Sequence, residues 1–161
     1  MNHLAPPAPQ RKDTQMKVIV FVKATENSEV VGSVPNEQML AEMGKFNEEL
    51  VKAGVMLAGE GLHPSAKGKR IHINVANTKR TVVDGPFTET KELVAGFWIW
   101  EVRSIEEAVE WARRCPHPMP GEDAVLEIRP IFSAEDFGKE FTPELRAREE
   151  RLRAEIERKQ S

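Results

Sequence analysis

Residues 94–114 read VAGFWIWEVRSIEEAVEWARR, and the change of period inside this stretch decides the fold. Residues 94–102 are apolar on both faces of an extended chain, with Trp98 and Trp100 on one side and Phe97 and Ile99 on the other. Such a strand sits in the middle of a sheet or against a closed interior. The period then becomes helical. Ser104 and Glu107 form an S-x-x-E capping box, and Ile105, Ala108, Val109 and Ala112 make one stripe. This helix ends before Pro116, which cannot continue it.

A second strand–helix unit lies upstream. Residues 17–23 (KVIVFVK) form a short buried strand, with Val18, Val20 and Val22 on one face and Ile19, Phe21 and Lys23 on the other. In residues 36–53, Met39, Leu40, Met43, Phe46 and Leu50 mark an amphipathic helix. Asn36 can cap its start, and Gly54 suits the left-handed position at its end. A strand at 55–62 follows. Residues 70–76 and 80–84 read as a half-solvated hairpin turning at Asn77-Thr78, and 88–92 as a short turn capped by Thr88 with Phe87 anchored in the core. The last strand, 124–131, follows a Pro/Gly loop.

The order is strand, helix, strand, hairpin, strand, helix, strand. Without the hairpin it is the ferredoxin-like βαββαβ arrangement, so the fold class is α+β. With both helices on one face, the other face of the sheet is bare. Ile19, Phe21 and Trp98 or its neighbour Phe97 make that face apolar. Apolar surface of this kind seeks cover. A homodimer whose sheets face each other, a dimeric α/β barrel, provides it.

A chain of 161 residues supports one domain with tails. Residues 1–15 read as a disordered extension, residues 16–133 as the domain and residues 134–161 as a charged helical tail. In the tail Thr142 and Pro143 start a helix striped by Leu145, Leu152 and Ile156. From Lys139 to Lys159 there are seven basic and six acidic residues, the pattern of a solvated helix or one docked on a dimer partner. The net charge of −3 argues against nonspecific nucleic-acid binding. No apolar run approaches the roughly 18–20 residues that span a bilayer, so no membrane partner is expected. Cys115 is the single cysteine, which excludes an internal disulfide and a Cys-based zinc cage. These features suit a cytoplasmic protein.

Polar residues at strand ends and on the bare face are the candidates for chemistry. Asp84 closes a hairpin strand and opens Asp-Gly-Pro, as a turn-forming carboxylate or a base. Glu60 lies between Gly59 and Gly61, where small neighbours admit a close ligand. His63 is placed as a general base titrating near neutral pH. Glu60, His63 and Asp84 also have the ligand types of a two-oxygen, one-nitrogen metal set. Proton abstraction needs only a placed base and charge stabilisation, so no metal or cofactor is assigned. By strand parity Glu127, Arg129 and Lys23 point into the dimer cavity, as an inter-subunit salt-bridge network or as holders of an anionic group. The terminal strands that carry them are not expected to be sheet neighbours. Lys91 could line the cavity entrance and Trp98 wall it. Cys115 beside Arg114 has a cation available to depress its pKa.

Residues 79–102, KRTVVDGPFTETKELVAGFWIWEV, together with AGVMLAGEGLHP (53–64), WARRCPHP (111–118) and LEIRPIF (126–132), resemble the YCII-related family. The likeness is to the subgroup known for its Asp-Gly-Pro-Phe motif. It runs over residues 16–133 and implies a dimeric α+β barrel of ferredoxin-like protomers. Some members are thought to be enzymes using a His–Asp pair, one a dehydrochlorinase of a chlorinated aromatic. Fold relatives include muconolactone isomerase and cofactor-free monooxygenases. Some genes of the subgroup adjoin sigma factors. The family's His lies in or near the first helix, where this chain has Glu37, Glu42, Glu48 and Glu49, so His63 would have to substitute. The expected function is a cofactor-free isomerase or lyase acting on a small aromatic or acidic metabolite. Asp84 or His63 is its base, Glu60 lies nearby, and Arg129 and Lys23 hold the anionic group. The alternative is a noncatalytic ligand-binding or regulatory module linked to sigma-factor-controlled transcription.

Overall fold

The computed structural model describes residues 15–160, so the expectation for 1–15 lies almost wholly outside the described residues. The chain divides after Pro130 into two compact units.

The first unit contains β1 (Met16–Lys23), α1 (Glu37–Lys52), β2 (Met56–Gly61), β3 (Lys69–Ile73), β4 (Arg80–Asp84), β5 (Val94–Val102), α2 (Ile105–Arg113) and β6 (Leu126–Pro130). Four strands form an antiparallel sheet in the order β2-β5-β1-β6, the ferredoxin-like order, and β3 pairs with β4 in a separate sheet. The terminal strands β1 and β6 are therefore neighbours, contrary to the sequence expectation: Phe21 pairs with Glu127 and Ile19 with Arg129. Pairing between strands distant in sequence is not encoded in either strand alone, which is why local pattern misplaces it.

Local chemistry sets the helix limits. Asn36 Oδ1 accepts from Met39 N–H at 2.8 Å, and Gly54 has φ 71° just past the end of α1. Ser104 Oγ accepts from Glu107 N–H at 3.1 Å at the start of α2. Val18 and Val20 of β1, Trp98, Trp100 and Val102 of β5, and Phe46 and Leu50 of α1 pack with Val55 and Ala108 into one core. Leu126, Ile128 and Trp111 pack against it. Paired residues in an antiparallel ladder share a face, so Ile19, Phe21, Phe97 and Ile99 lie on the side away from this core.

The hairpin departs from expectation in two ways. β3 stops at Ile73 because Asn74 Oδ1 accepts from both Thr78 N–H and Lys79 N–H, turning the chain early. Every residue of β3 and β4 is exposed, not half of them. The 88–92 turn is a short helical turn over Thr90–Glu92 that begins at Glu89, not Thr88. Phe87 is half-buried outside the main core, with the Arg70 guanidinium 3.8 Å above its ring.

The second unit holds a 3-10 stretch, Ala134–Glu140, and α3 (Pro143–Gln160). Thr142 Oγ1 accepts from Leu145 N–H at 3.3 Å. Phe137 stacks between Phe132 and Phe141, at 5.1 and 5.6 Å. Leu145, Leu152 and Ile156 are exposed along α3. Among the described residues no helix is long and apolar enough to cross a membrane.

Candidate functional site

Two glycines that face each other make the floor of the main cavity. Gly61 of β2 pairs with Gly96 of β5, which pairs in turn with Val22 of β1. These positions share the core-facing side with Trp98; the missing side chain of Gly96 lets the β2 backbone approach, and that of Gly61 leaves space beneath α1. A Cβ added to Gly61 would meet nothing within 4 Å. One added to Gly59 would come within 2.8 Å of both Trp98 Cδ1 and Met56 Cε, so Gly59 admits the indole as a wall.

The resulting cavity has a volume of about 570 Å³. Met39, Leu40 and Met43 of α1 cover one side, and Met119 and Pro120 close another. This explains why Leu40 of the predicted apolar stripe is 60% exposed: it borders the opening. Asn47 Oδ1 accepts from Trp98 Nε1 at 2.9 Å, which fixes the ring and leaves the amide Nδ2 to donate elsewhere. Thr25 Oγ1 donates to Glu122 Oε2 at 2.7 Å and joins the two mouth loops. Apolar walls with a few fixed polar groups are the makeup of a small-molecule site.

Of the residues singled out in the sequence, Trp98 and Glu60 border this cavity. Trp98 reaches it from the core side of the sheet, not from the bare side where a dimer cavity was expected. Glu60 lies on the lip, and its pairing with Phe97 turns its side chain to the bare face. Asp84 sits across the hairpin, ion-paired with Lys69, both exposed. His63 and Lys91 are exposed in loops and are not among the lining residues. Glu127 and Arg129 approach each other at 3.8 Å on β6. Lys23 ends β1, where its N–H donates to Val125 O at 3.0 Å. Glu60, His63 and Asp84 thus do not gather in one cavity, and among the described residues no three His, Cys, Asp or Glu could hold a metal ion. Asn47, Met119 and Glu122 carry no motif and were missed. Met119 and Glu122 depend on a loop path that periodicity does not report, and Asn47 is a polar residue of α1 whose tertiary partner, Trp98, its own helix does not name.

Residues 16–133 match the YCII-related domain. The chain belongs to this family. A curated relative is an uncharacterized protein of Rhizobium meliloti, 28% identical over 96 residues, which cover 60% of this chain and 75% of that protein.

Two titrations lie away from the cavity of this YCII protein. Hydrogen bonding to Glu92, reinforced by repulsion from it, raises the Glu89 carboxyl above its ordinary range. Lys91 therefore stands in a turn that holds its own acidic pair. Burial pushes the Cys115 thiol up to about 11 from 9.0, opposite in direction to what a neighbouring cation would do. The cation is engaged elsewhere, because the Arg114 guanidinium stacks 3.8 Å above Trp111. The raised value favours the neutral thiol in the folded state. Its contribution to stability is complete below pH 9.0 and is lost as pH climbs toward about 11. Cys115 is expected to react with a maleimide at pH 8 much more slowly in the folded protein than in urea. Equal rates would refute the burial argument.

Proposed function

We propose that this YCII-related protein, of the Asp-Gly-Pro-Phe subgroup, is a homodimeric cytoplasmic protein that binds a small, largely apolar organic molecule beneath α1. The open space at Gly61, beside its pair Gly96, carries this reading. A packed core leaves few voids larger than a water molecule, whereas this cavity of about 570 Å³ is of ligand size. Ile19, Phe21, Phe97 and Ile99 on the bare face support pairing of two copies.

Gly61→Leu tests the site. The new side chain enters open space at a backbone position any residue adopts, so the fold is expected to persist. Phenethyl alcohol, followed by tryptophan fluorescence and calorimetry, is expected to bind the native protein and to lose at least about tenfold in affinity on Gly61→Leu. Unchanged affinity would refute the site. Light scattering is expected to give twice the 18.2 kDa chain mass, and Phe97→Glu to give single chains.

A second reading, the cofactor-free isomerase or lyase, is favoured by one observation: Glu60 stands on the cavity lip and shares the bare face with Arg129. Glu60 is then the base, and Arg129, with Lys23 at the end of β1, holds an anionic group in the space between paired sheets. The distinguishing result is Glu60→Gln, which removes turnover but leaves phenethyl alcohol binding intact.

A further inference from the structure

We propose that the cavity beneath α1 selects ligands carrying a positive charge, namely a small aromatic or alkyl amine. This rests on the small-molecule reading above and gives the class of ligand. Among the described residues, the charged ones bordering the cavity are Glu122 and Glu60, the latter with its side chain turned to the bare face. The segments around its mouth, 24–40, 55–62 and 117–125, contain Glu26, Glu29, Glu37, Glu60, Glu122 and Asp123 and no Lys or Arg. The groups bonded to Glu29 and Glu122 are neutral donors, the Ser65 N–H and the Thr25 hydroxyl, so their negative charge is not cancelled there. His117 Nδ1 accepts from Met119 N–H at 3.0 Å.

The cations nearest in sequence are Lys23 and Lys45. Neither borders the cavity, and Lys45 flanks a separate hollow beside Arg114. Positive charge is concentrated instead on the hairpin, where Lys67, Lys69, Arg70, Lys79 and Arg80 stand against Asp84. A cleft with charge of one sign and low-dielectric walls focuses its field on an entering ligand. The walls are Trp98 and three methionines, Met39, Met43 and Met119. An indole and thioether sulfurs are polarisable surfaces that tolerate a cation. The Asn47 amide adds one donor for an acceptor atom of the ligand. An acidic ligand, expected from the sequence, finds no cation in this cavity.

The test is calorimetry on the full chain with three probes of one skeleton: phenethylamine, phenethyl alcohol and phenylacetate. Phenethylamine is expected to bind about tenfold tighter than the alcohol, and phenylacetate more weakly than both. The preference for the amine over the alcohol is expected to shrink in raised salt and to fall several-fold in Glu122→Gln. If the alcohol binds and the amine binds no tighter, this inference falls and the cavity reading stands. If none of the three binds, both fall. The comparison of probes on the native protein decides the matter even where Glu122→Gln disturbs the loops.

Discussion

Gly85→Ala is expected to destabilise the protein by about 3 kcal/mol or more, the range of an overpacked site with no room to relax. A Cβ at Gly85 would lie 1.8 Å from Ser65 O and 2.6 Å from Ser65 C. Both are backbone atoms, so no side chain can swing away. The surroundings are tied as well. Gly85 N–H donates to Gly68 O at 3.0 Å, Phe87 N–H donates to Ser65 Oγ at 3.0 Å, and Ser65 N–H donates to Glu29 Oε2 at 2.7 Å. The small residue in Asp-Gly-Pro-Phe is therefore required by packing against the 65–67 turn. Gly61→Ala, with nothing near its added Cβ, is the control and is expected to cost little. Urea unfolding of the pair measures the contrast, and hydrogen exchange at Gly85 detects opening confined to the hairpin base. Equal midpoints with equal exchange would refute the steric account.

Trp100→Ala is expected to cost about 3–5 kcal/mol, as for large-to-small changes in a core. Trp100 has the largest side chain among the described residues that are fully buried. Its ring lies 5.6 Å from Trp98 and 6.4 Å from Phe46, so its loss opens a void between the sheet and α1. Trp100 Nε1 has no hydrogen-bond partner among the described residues. Trp100→Phe removes that unpaired donor together with part of the ring, so the gain offsets some of the lost packing. It is expected to cost well under half as much as Trp100→Ala. A chemical denaturation series checks both. The account fails if phenylalanine costs as much as alanine.

The two βα units were legible because their signals are local. Asn36, Gly54 and Ser104 act within four residues of themselves, and the alternation of KVIVFVK sorts Val18 and Val20 from Ile19 and Phe21 without reference to a neighbour. Which strand lies beside which is a different kind of information. Nothing in LEIRP names β1 as its partner, and the expectation about β6 failed there. The candidate site was legible only at Trp98 and at Gly59, Glu60 and Gly61. The carboxylate attracted attention, but the glycines shape the cavity, because a void is defined by atoms that a sequence does not write down. Asp84 shows the same limit. Its place in the turn is local, while its engagement by Lys69 follows from hairpin register, with β3 beginning one residue before the predicted start.

The β3–β4 ribbon also bears on solubility. Ile71, Ile73, Val82 and Val83 are exposed on a two-stranded sheet, and such ribbons have outer edges through which further chains can add. Lys69, Arg70, Lys79 and Arg80 give any two such ribbons like charge. They act as gatekeepers against fibril growth, and concentrated salt, by screening them, would let stacking begin at this ribbon before any part of the core unfolds.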